Sequence, residues 1–434
     1  MAFFCQHINS LLGYRKEEIQ MEFPKNYLEH LDSLLQCYPT YSNIVTNDTV
    51  YQGHKKRSCE LRSGPVIGRY FFPHETRRIL SKFTRTSMAL LIKYLIMNNS
   101  DENYHFLVQD QSQPLTRSTY DMLSDAMFYF RCHPKMSELL DYYIILRGYA
   151  MTPQARERLR RTSGIHADAM RPMETLDNLL RHGQFYDQNT LSMASYSLLT
   201  HAIKADFSLS KVINGEAPPE ISEYFEREDD EGARLFVLWS NLFEIAGMAG
   251  HIHCSGSRIL SEQLANDFLL LRTFLLANNP IDRFIMATAE PIMRTSKCTI
   301  EEAVAALRLS RMMGAPSEAN AIADLLIEKF PSYAKLVAEL NHGFSWSHLA
   351  ERPIVFEYGR NYLSSRYREK VETGIWFPAE ECLQEVAPYL LMRIKALRKA
   401  AMRDRPLEHL LYLDLGADAL RAGSEYNRAR YRNQ

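Results

Sequence analysis

Apolar positions along the chain recur at helical spacing and are broken by short polar punctuation. Ser87–Asn98 reads SMALLIKYLIMN, apolar nearly all round with one lysine, which predicts a helix inside a helical lobe. Leu235–Gly250, LFVLWSNLFEIAGMAG, has the same character and ends in Ala249 and Gly250, the pattern of a central buried helix. Leu264–Ala277, LANDFLLLRTFLLA, repeats it and stops at Asn278-Asn279-Pro280, where two turn-forming residues and a proline predict a lobe boundary.

Beyond that point the helix ends are spelled out. Thr299 is placed to cap a helix whose third residue, Glu302, reaches back in a capping box, and Gly314 supplies a left-handed stop after Met313. Pro316 prevents continuation, and Ser317 is expected to cap a second helix carrying Ile322, Leu325, Leu326 and Phe330 on one face until Pro331. A third helix is predicted from Ser332, with Tyr333, Leu336, Val337 and Leu340 at helical spacing before Gly343. Few runs alternate apolar and polar residues, and no Asn-Gly or Asp-Gly hairpin stands between β-branched stretches. The predicted fold class is therefore all-α.

At 434 residues and 46% hydrophobic content the chain can bury more than one ordinary core. The expected organisation is an N-terminal arm over 1–30, helical lobes over 31–279 and 280–373, and a C-terminal arm or basic helical tail over 374–434. Phe3, Phe4, Ile8, Leu11 and Leu12 make an apolar start too short for a core of its own, so it is expected to dock on another subunit. A long helix is expected from Pro378 to about Arg403, ahead of a helix-forming, basic end. No stretch reaches the roughly eighteen apolar residues a membrane helix needs, and the opening residues lack a secretory signal, so an intracellular protein without membrane insertion is expected. The seven cysteines are widely spaced, with no CxxC pair, and read as reduced and mostly buried.

A net charge of −1 excludes binding of nucleic acid through bulk charge, but the charges are segregated. Arg147–Arg181 holds seven arginines against four acids, and Glu220–Glu231 holds seven acids against Arg227. Local arginine clusters in a neutral chain suit a groove for a polyanion; the alternative for each cluster is a solvated helix face. Enzyme signatures are missing: no Walker loop, GxGxxG, HExxH or GxSxG occurs, and no nucleophile, base and orienter can be named together. His251, His253 and Cys254 are sensible zinc ligand types, but two histidines at i, i+2 point to different faces of a helix and no second ligand pair stands at a recognisable spacing. The carboxylates of Glu226–Glu231 follow the loop-like GEAPPE and read as a solvated acidic loop. No catalytic residue, metal or cofactor is assigned.

Two segments point to RNA instead. In TPQARERLRR, helical spacing sets Arg156 beside Arg160 and Arg158 beside Arg161, making an arginine ridge whose guanidinium forks suit phosphate oxygens without reading sequence. In EYGRNYLSSRYR, Tyr358, Arg360, Tyr362 and Arg366 interleave aromatic and basic groups beside Gly359, where a strand of nucleic acid can come close; Tyr362 reads equally as a core residue.

Leu307–Gly343 (LRLSRMMGAPSEANAIADLLIEKFPSYAKLVAELNHG) and Tyr358–Val371 (YGRNYLSSRYREKV) resemble the nucleoproteins of non-segmented negative-strand RNA viruses, the order of the paramyxoviruses and pneumoviruses. The first is similar to a family stretch of methionine-glycine turn, helix, lysine-phenylalanine and tyrosine-led helix ending in glycine. The second is similar to the family's glycine-arginine-x-tyrosine segment, and the resemblance implies a phosphate-contacting role for Arg360. It further implies two helical lobes with single-stranded RNA in the cleft between them and terminal arms exchanged in a homo-oligomer. The viral polymerase complex is the implied partner, and a virion nucleocapsid in the host cytoplasm, with the nucleus left open, the implied location. The rival readings are a helical shell protein of a double-stranded RNA virus and a helical enzyme.

Overall fold

The computed structural model describes residues 26–38, 40–41, 44, 78–111, 114–165, 170, 172–182, 192–205, 207–215, 224–225, 228, 230–250, 256–279, 281–331, 355–357, 359–385, 387 and 412–414. Its longer helices are, in chain order, α1 (Tyr27–Cys37), α2 (Arg78–Met97), α3 (Asp101–Val108), α4 (Arg117–Ala126), α5 (Pro134–Ala150), α6 (Pro153–Ser163), α7 (Pro172–Arg181) and α8 (Met193–Ala205). They continue with α9 (Glu231–Gly247), α10 (Glu262–Leu276), α11 (Ile281–Ser296), α12 (Ile300–Met313), α13 (Ala319–Lys329) and α14 (Gly359–Glu372). The protein is mostly helical, in keeping with the all-α class, and no helix among the described residues is long and apolar enough to cross a membrane. The strands among the described residues are β1 (Val355–Glu357) and β2 (Tyr412–Asp414), paired in parallel with Val355 opposite Tyr412. Tyr412–Asp414 belongs to a segment expected to be helical. It finds a partner across a long gap in sequence, which helical periodicity does not register.

The chain divides into two compact units. One comprises Met1–Arg131, Ile144–Thr190 and Ala246–Ser261, the other Cys132–Tyr143, Leu191–Ile245 and Glu262–Gln434. In the first, α2 supplies the core. Phe83, Leu90, Leu91, Ile92 and Leu95 are buried, and Lys93 goes in with them at 3% exposure. Tyr27 donates from its hydroxyl to the Ser87 carbonyl at 2.9 Å, and the Tyr41 hydroxyl lies 2.6 Å from Ser87 Oγ, so one serine ties the preceding segment to α2. The turn at 256–261 is fixed by polar contacts. Ser257 N–H donates to the Leu107 carbonyl at 3.0 Å, Ser257 Oγ to the Ala246 carbonyl at 2.9 Å, and Gln111 Nε2 to the Leu260 carbonyl at 2.9 Å. Gly256, at φ 63, makes this approach possible, since a Cβ there would sit 2.2 Å from the Leu107 oxygen.

In the second unit α12 is the centre. Every residue from Ala303 to Met313 is buried, and α11, α13 and α14 pack around it. Thr299 Oγ1 accepts from the Glu302 N–H while the Glu302 carboxylate accepts from the Thr299 N–H, which is the expected capping box. At the other end Gly314 (φ 76) donates to the Arg311 carbonyl and Ala315 to the Ser310 carbonyl, the paired bonds of a Schellman stop. Asn278 ends α10 in the same way at φ 54, its N–H on the Leu275 carbonyl and that of Asn279 on the Phe274 carbonyl. Arg234 is buried there with no ion pair among the described residues. It donates to the carbonyls of Leu275 and Glu228 and to Asn278 Oδ1, placing a cation where the helix presents its negative end.

Two further expectations need correction, and others fall outside the described residues. Ser317 caps nothing, because Pro316–Glu318 is a 3-10 turn whose Pro316 carbonyl takes the Ala319 N–H, and α13 starts only at Ala319. The described cysteines are free, but only Cys382 is buried, with Cys298 half-buried and Cys37 and Cys132 exposed on short polar helix ends. Lys329 and Phe330 end α13, and the helix expected from Ser332 lies outside the described residues, as do Met1–Leu12 and most of the helix expected from Pro378, which is helical over 378–385.

Buried charge sets the main stability test. Arg311 Nη2 donates to Asp267 Oδ1 at 2.7 Å with both side chains 6% exposed, and Nη1 donates to the Ile213 carbonyl. Burial pushes the Asp267 carboxyl up and the Arg311 guanidinium down, and their mutual contact opposes both shifts. Asp267→Ala strands a buried guanidinium and is expected to lower the unfolding free energy by about 3–5 kcal/mol in chemical denaturation, whereas Asp267→Leu with Arg311→Met recovers most of the loss. Gly256→Ala is expected to cost at least about 2 kcal/mol, from left-handed strain and the clash with Leu107. An unchanged melting temperature in either single variant would contradict the packing described.

Candidate nucleic-acid interface

The arginine ridge lies on α6, and local chemistry fixes its direction. Thr152 Oγ1 accepts from the Ala155 N–H, Pro153 occupies the first turn, and Gly164 (φ 73) closes the end by donating to the Arg160 carbonyl at 3.0 Å. Thr152, Ala155 and Leu159 are buried. The helix therefore turns that face inward, which leaves Arg156 and Arg158 half-buried on its flanks and Arg160 and Arg161 exposed.

Glu157 lies between the two exposed arginines at i+3 and i+4. Arg160 grips it with both arms of its fork, Nε to Oε2 at 2.8 Å and Nη2 to Oε1 at 2.7 Å, and Arg161 Nε donates to Oε1 at 2.5 Å. The hydrogen bonds from Arg160 and then Arg161 hold the Glu157 carboxyl down to about 2, far below its ordinary 4.5. Two of the four guanidiniums thus share one carboxylate. Their outer surfaces remain open to solvent, with the Arg160 and Arg161 side chains 52% and 70% exposed.

The second candidate segment is α14. Tyr358 lies outside the described residues. Arg360, the second residue of the helix, is exposed and has no ion pair among the described residues, while surrounding protein desolvates its guanidinium and lowers its pKa. Tyr362 is half-buried. Arg366 is engaged within the unit, its Nη1 2.8 Å from Glu369 and its Nη2 3.4 Å from Glu385. Burial alone would lower its pKa, but the bond to Glu369 and the charge of Glu385 prevail and raise it. Lys370 joins the same cluster at 2.6 Å from Glu385, and this network ties α14 to the helical residues 378–385.

The ridge residues belong to the first unit and Arg360, Tyr362 and Arg366 to the second. On α14 a basic residue outside the sequence-based set fits a polyanion better than Arg366 does. Arg368 is exposed, has no ion pair among the described residues, and stands eight residues after Arg360 on the same side of the helix. The i, i+8 spacing was the available signal. Leu363, fully buried, and Tyr367, whose hydroxyl donates to Glu318, hold α14 against the unit from positions three and seven residues after Arg360, so Arg360 stands at the edge of the packed face.

The acidic run has local work where it is described. Asp230 Oδ1 accepts from the N–H groups of Gly232 and Ala233 at the start of α9, and Glu228 gives its carbonyl to Arg234. No group of three His, Cys, Asp or Glu residues among the described residues is arranged to hold a metal ion, and His251, His253 and Cys254 lie outside them. At the end of α14, Trp376 and Phe377 are exposed at 86% and 60%.

The clamp makes a direct prediction. Because the folded pKa of Glu157 is depressed, its interaction stabilises the helix end above pH 4.5 and is lost as the pH falls toward 2. Carboxyl-detected NMR should give a Glu157 midpoint near 2, moving back toward 4.5 when Arg160 and Arg161 are both replaced by alanine. A midpoint already near 4.5 in the unaltered chain would refute the clamp.

Compared with known proteins, the chain matches no family model, no curated protein and no solved structure.

Proposed function

We propose that the chain is a viral nucleoprotein that coats single-stranded RNA without regard to sequence, as a homo-oligomer. The observation that carries the reading is the outward display of Arg160 and Arg161 on α6 and of Arg360 and Arg368 on α14, in a chain whose net charge is only −1. Local guanidinium surfaces on a neutral protein give phosphate contacts and counterion release without a generally basic exterior. The resemblance of Leu307–Gly343 and Tyr358–Val371 to nucleoproteins of non-segmented negative-strand RNA viruses points the same way. The finer features are part of this proposal: RNA in a cleft between two lobes, arms exchanged between neighbouring subunits, a viral polymerase complex as partner, and a place in the virion nucleocapsid and the host cytoplasm. No catalytic role is included.

The protein purified at low salt should carry host RNA of no defined sequence, read as raised absorbance at 260 nm and as nuclease-protected fragments. A nucleic-acid-free monomer would count against the proposal. Arg360→Ala should weaken binding to every RNA alike and reduce the salt dependence by about one unit of slope, with an unchanged melting temperature because Arg360 has no ion pair among the described residues. A variant that melts early and keeps the original slope would remove Arg360 from the interface. Deleting Met1–Leu12 should leave folding intact and shrink the oligomers seen by light scattering.

A further inference from the structure

We propose that Ser163 is a phosphorylation site for a basophilic serine/threonine protein kinase, and that its phosphate draws Arg160 away from Glu157. The sequence Arg158-Leu159-Arg160-Arg161-Thr162-Ser163 puts arginines five, three and two residues before the serine. Kinases that select by charge pattern read guanidiniums at such offsets with acidic side chains flanking their active site. Thr162, with arginines at four, two and one residues before it, fits that register less well.

The position suits modification. Ser163 is the last residue of α6, half-exposed, and its hydroxyl donates to the Leu159 carbonyl at 2.7 Å. Thr162 is exposed and donates in the same way to the Arg158 carbonyl. No residue of the helix after Leu159 is buried, so beyond its own helical hydrogen bonds the last turn is held by these back-bonds, the contacts of Arg160 and Arg161 with Glu157, and the N–H of Gly164. Opening one such turn for a kinase cleft leaves the buried face of α6 in place. In the transfer the γ-phosphoryl group of magnesium-bound ATP forms a bond to Ser163 Oγ as its bond to the ADP oxygen breaks. ADP departs, and the serine proton passes to the kinase's catalytic carboxylate.

Helical spacing then decides where the phosphate lies. Arg160 is three residues before Ser163 and Arg156 seven, both on the serine's side of the helix, whereas Arg161 projects elsewhere. A dianion beside Arg160 competes directly with the single charge of Glu157 for the same fork. The helix dipole disfavours an anion at this end, but a charge-assisted pair with arginine is the stronger effect. Phosphorylation thus exchanges one partner of Arg160 for another and adds nearly two negative charges to the ridge.

The test uses the full chain, the catalytic subunit of cyclic-AMP-dependent protein kinase and magnesium-ATP. Mass spectrometry should find phosphate on Ser163, retained in Thr162→Val and lost both in Ser163→Ala and in the Arg160→Ala, Arg161→Ala double variant. Phosphate on Thr162 alone, or none on α6, would overturn the site. After modification the Glu157 midpoint should rise from about 2 toward 4.5; a midpoint fixed near 2 would overturn the exchange of partners. A third arm rests on the RNA-coating reading: the slope of poly(U) affinity against salt should shrink by up to about two units on phosphorylation. An unmodified chain that ignores poly(U) refutes that reading and leaves the Ser163 result standing. A chain that binds with the same slope before and after phosphorylation refutes the control of binding by Ser163.

Discussion

From Ala303 to Met313 helix α12 has no solvent face. Once a helix is surrounded, every residue type it carries must be accommodated inside, and α12 carries Arg308 and Arg311 as well as its alanines, leucines and methionines. Arg311 is accommodated by a carboxylate from α10 and a carbonyl at the end of Leu209–Ile213, so three separate stretches of chain are registered against one guanidinium. A hydrophobic replacement of the pair could pack as well or better, which makes the pair a device of specification more than of stability. It permits few alternative rotations of α12, and the positions of α13 and α14 follow from that helix.

Arginine serves opposite ends in this protein, and its surroundings decide which. Arg311 is paired and dry. Arg234 is dry, its partners among the described residues are carbonyl oxygens, and the end of α10 supplies the field that offsets its charge. On α6 the inward residues Ala155 and Leu159 are small enough or apolar enough to take the buried face, so the arginines are turned outward and compete for one glutamate. Arg366 and Arg360 stand on one helix six residues apart, yet the first is spent on Glu369 and Glu385 while the second has no carboxylate among the described residues.

What could be read from the sequence was what depends on neighbours along the chain. The Thr299 and Glu302 capping box, the Gly314 stop and the Asn278 turn all rest on contacts within six residues, and each was legible. Ser317 was misread because the same local rules offered two outcomes, a side-chain cap or a 3-10 turn after Pro316, and the backbone bond prevailed. The ion pair of Asp267 with Arg311 and the pairing of Val355 with Tyr412 join residues far apart, and nothing in periodicity marks them. For the candidate interface, residue types were legible and their engagement was not. Glu157 is visible in RERLRR as an acid at i, i+3 and i, i+4 from two arginines, but only its geometry reveals that it claims both.

The contrast between two tryptophans gives the molecule an internal optical ruler. Trp239 is wholly enclosed, stacked on Phe243 and edge-on to Phe268, while Trp376 stands almost bare beside Phe377. An indole in water emits at longer wavelength and meets dissolved quenchers freely; an enclosed one does neither. Once Trp346, the third tryptophan of the chain, is replaced by phenylalanine, iodide should therefore extinguish the emission of Trp376 and leave that of Trp239, so the quenchable fraction of fluorescence reports, without any label, on whatever comes to lie over the end of α14.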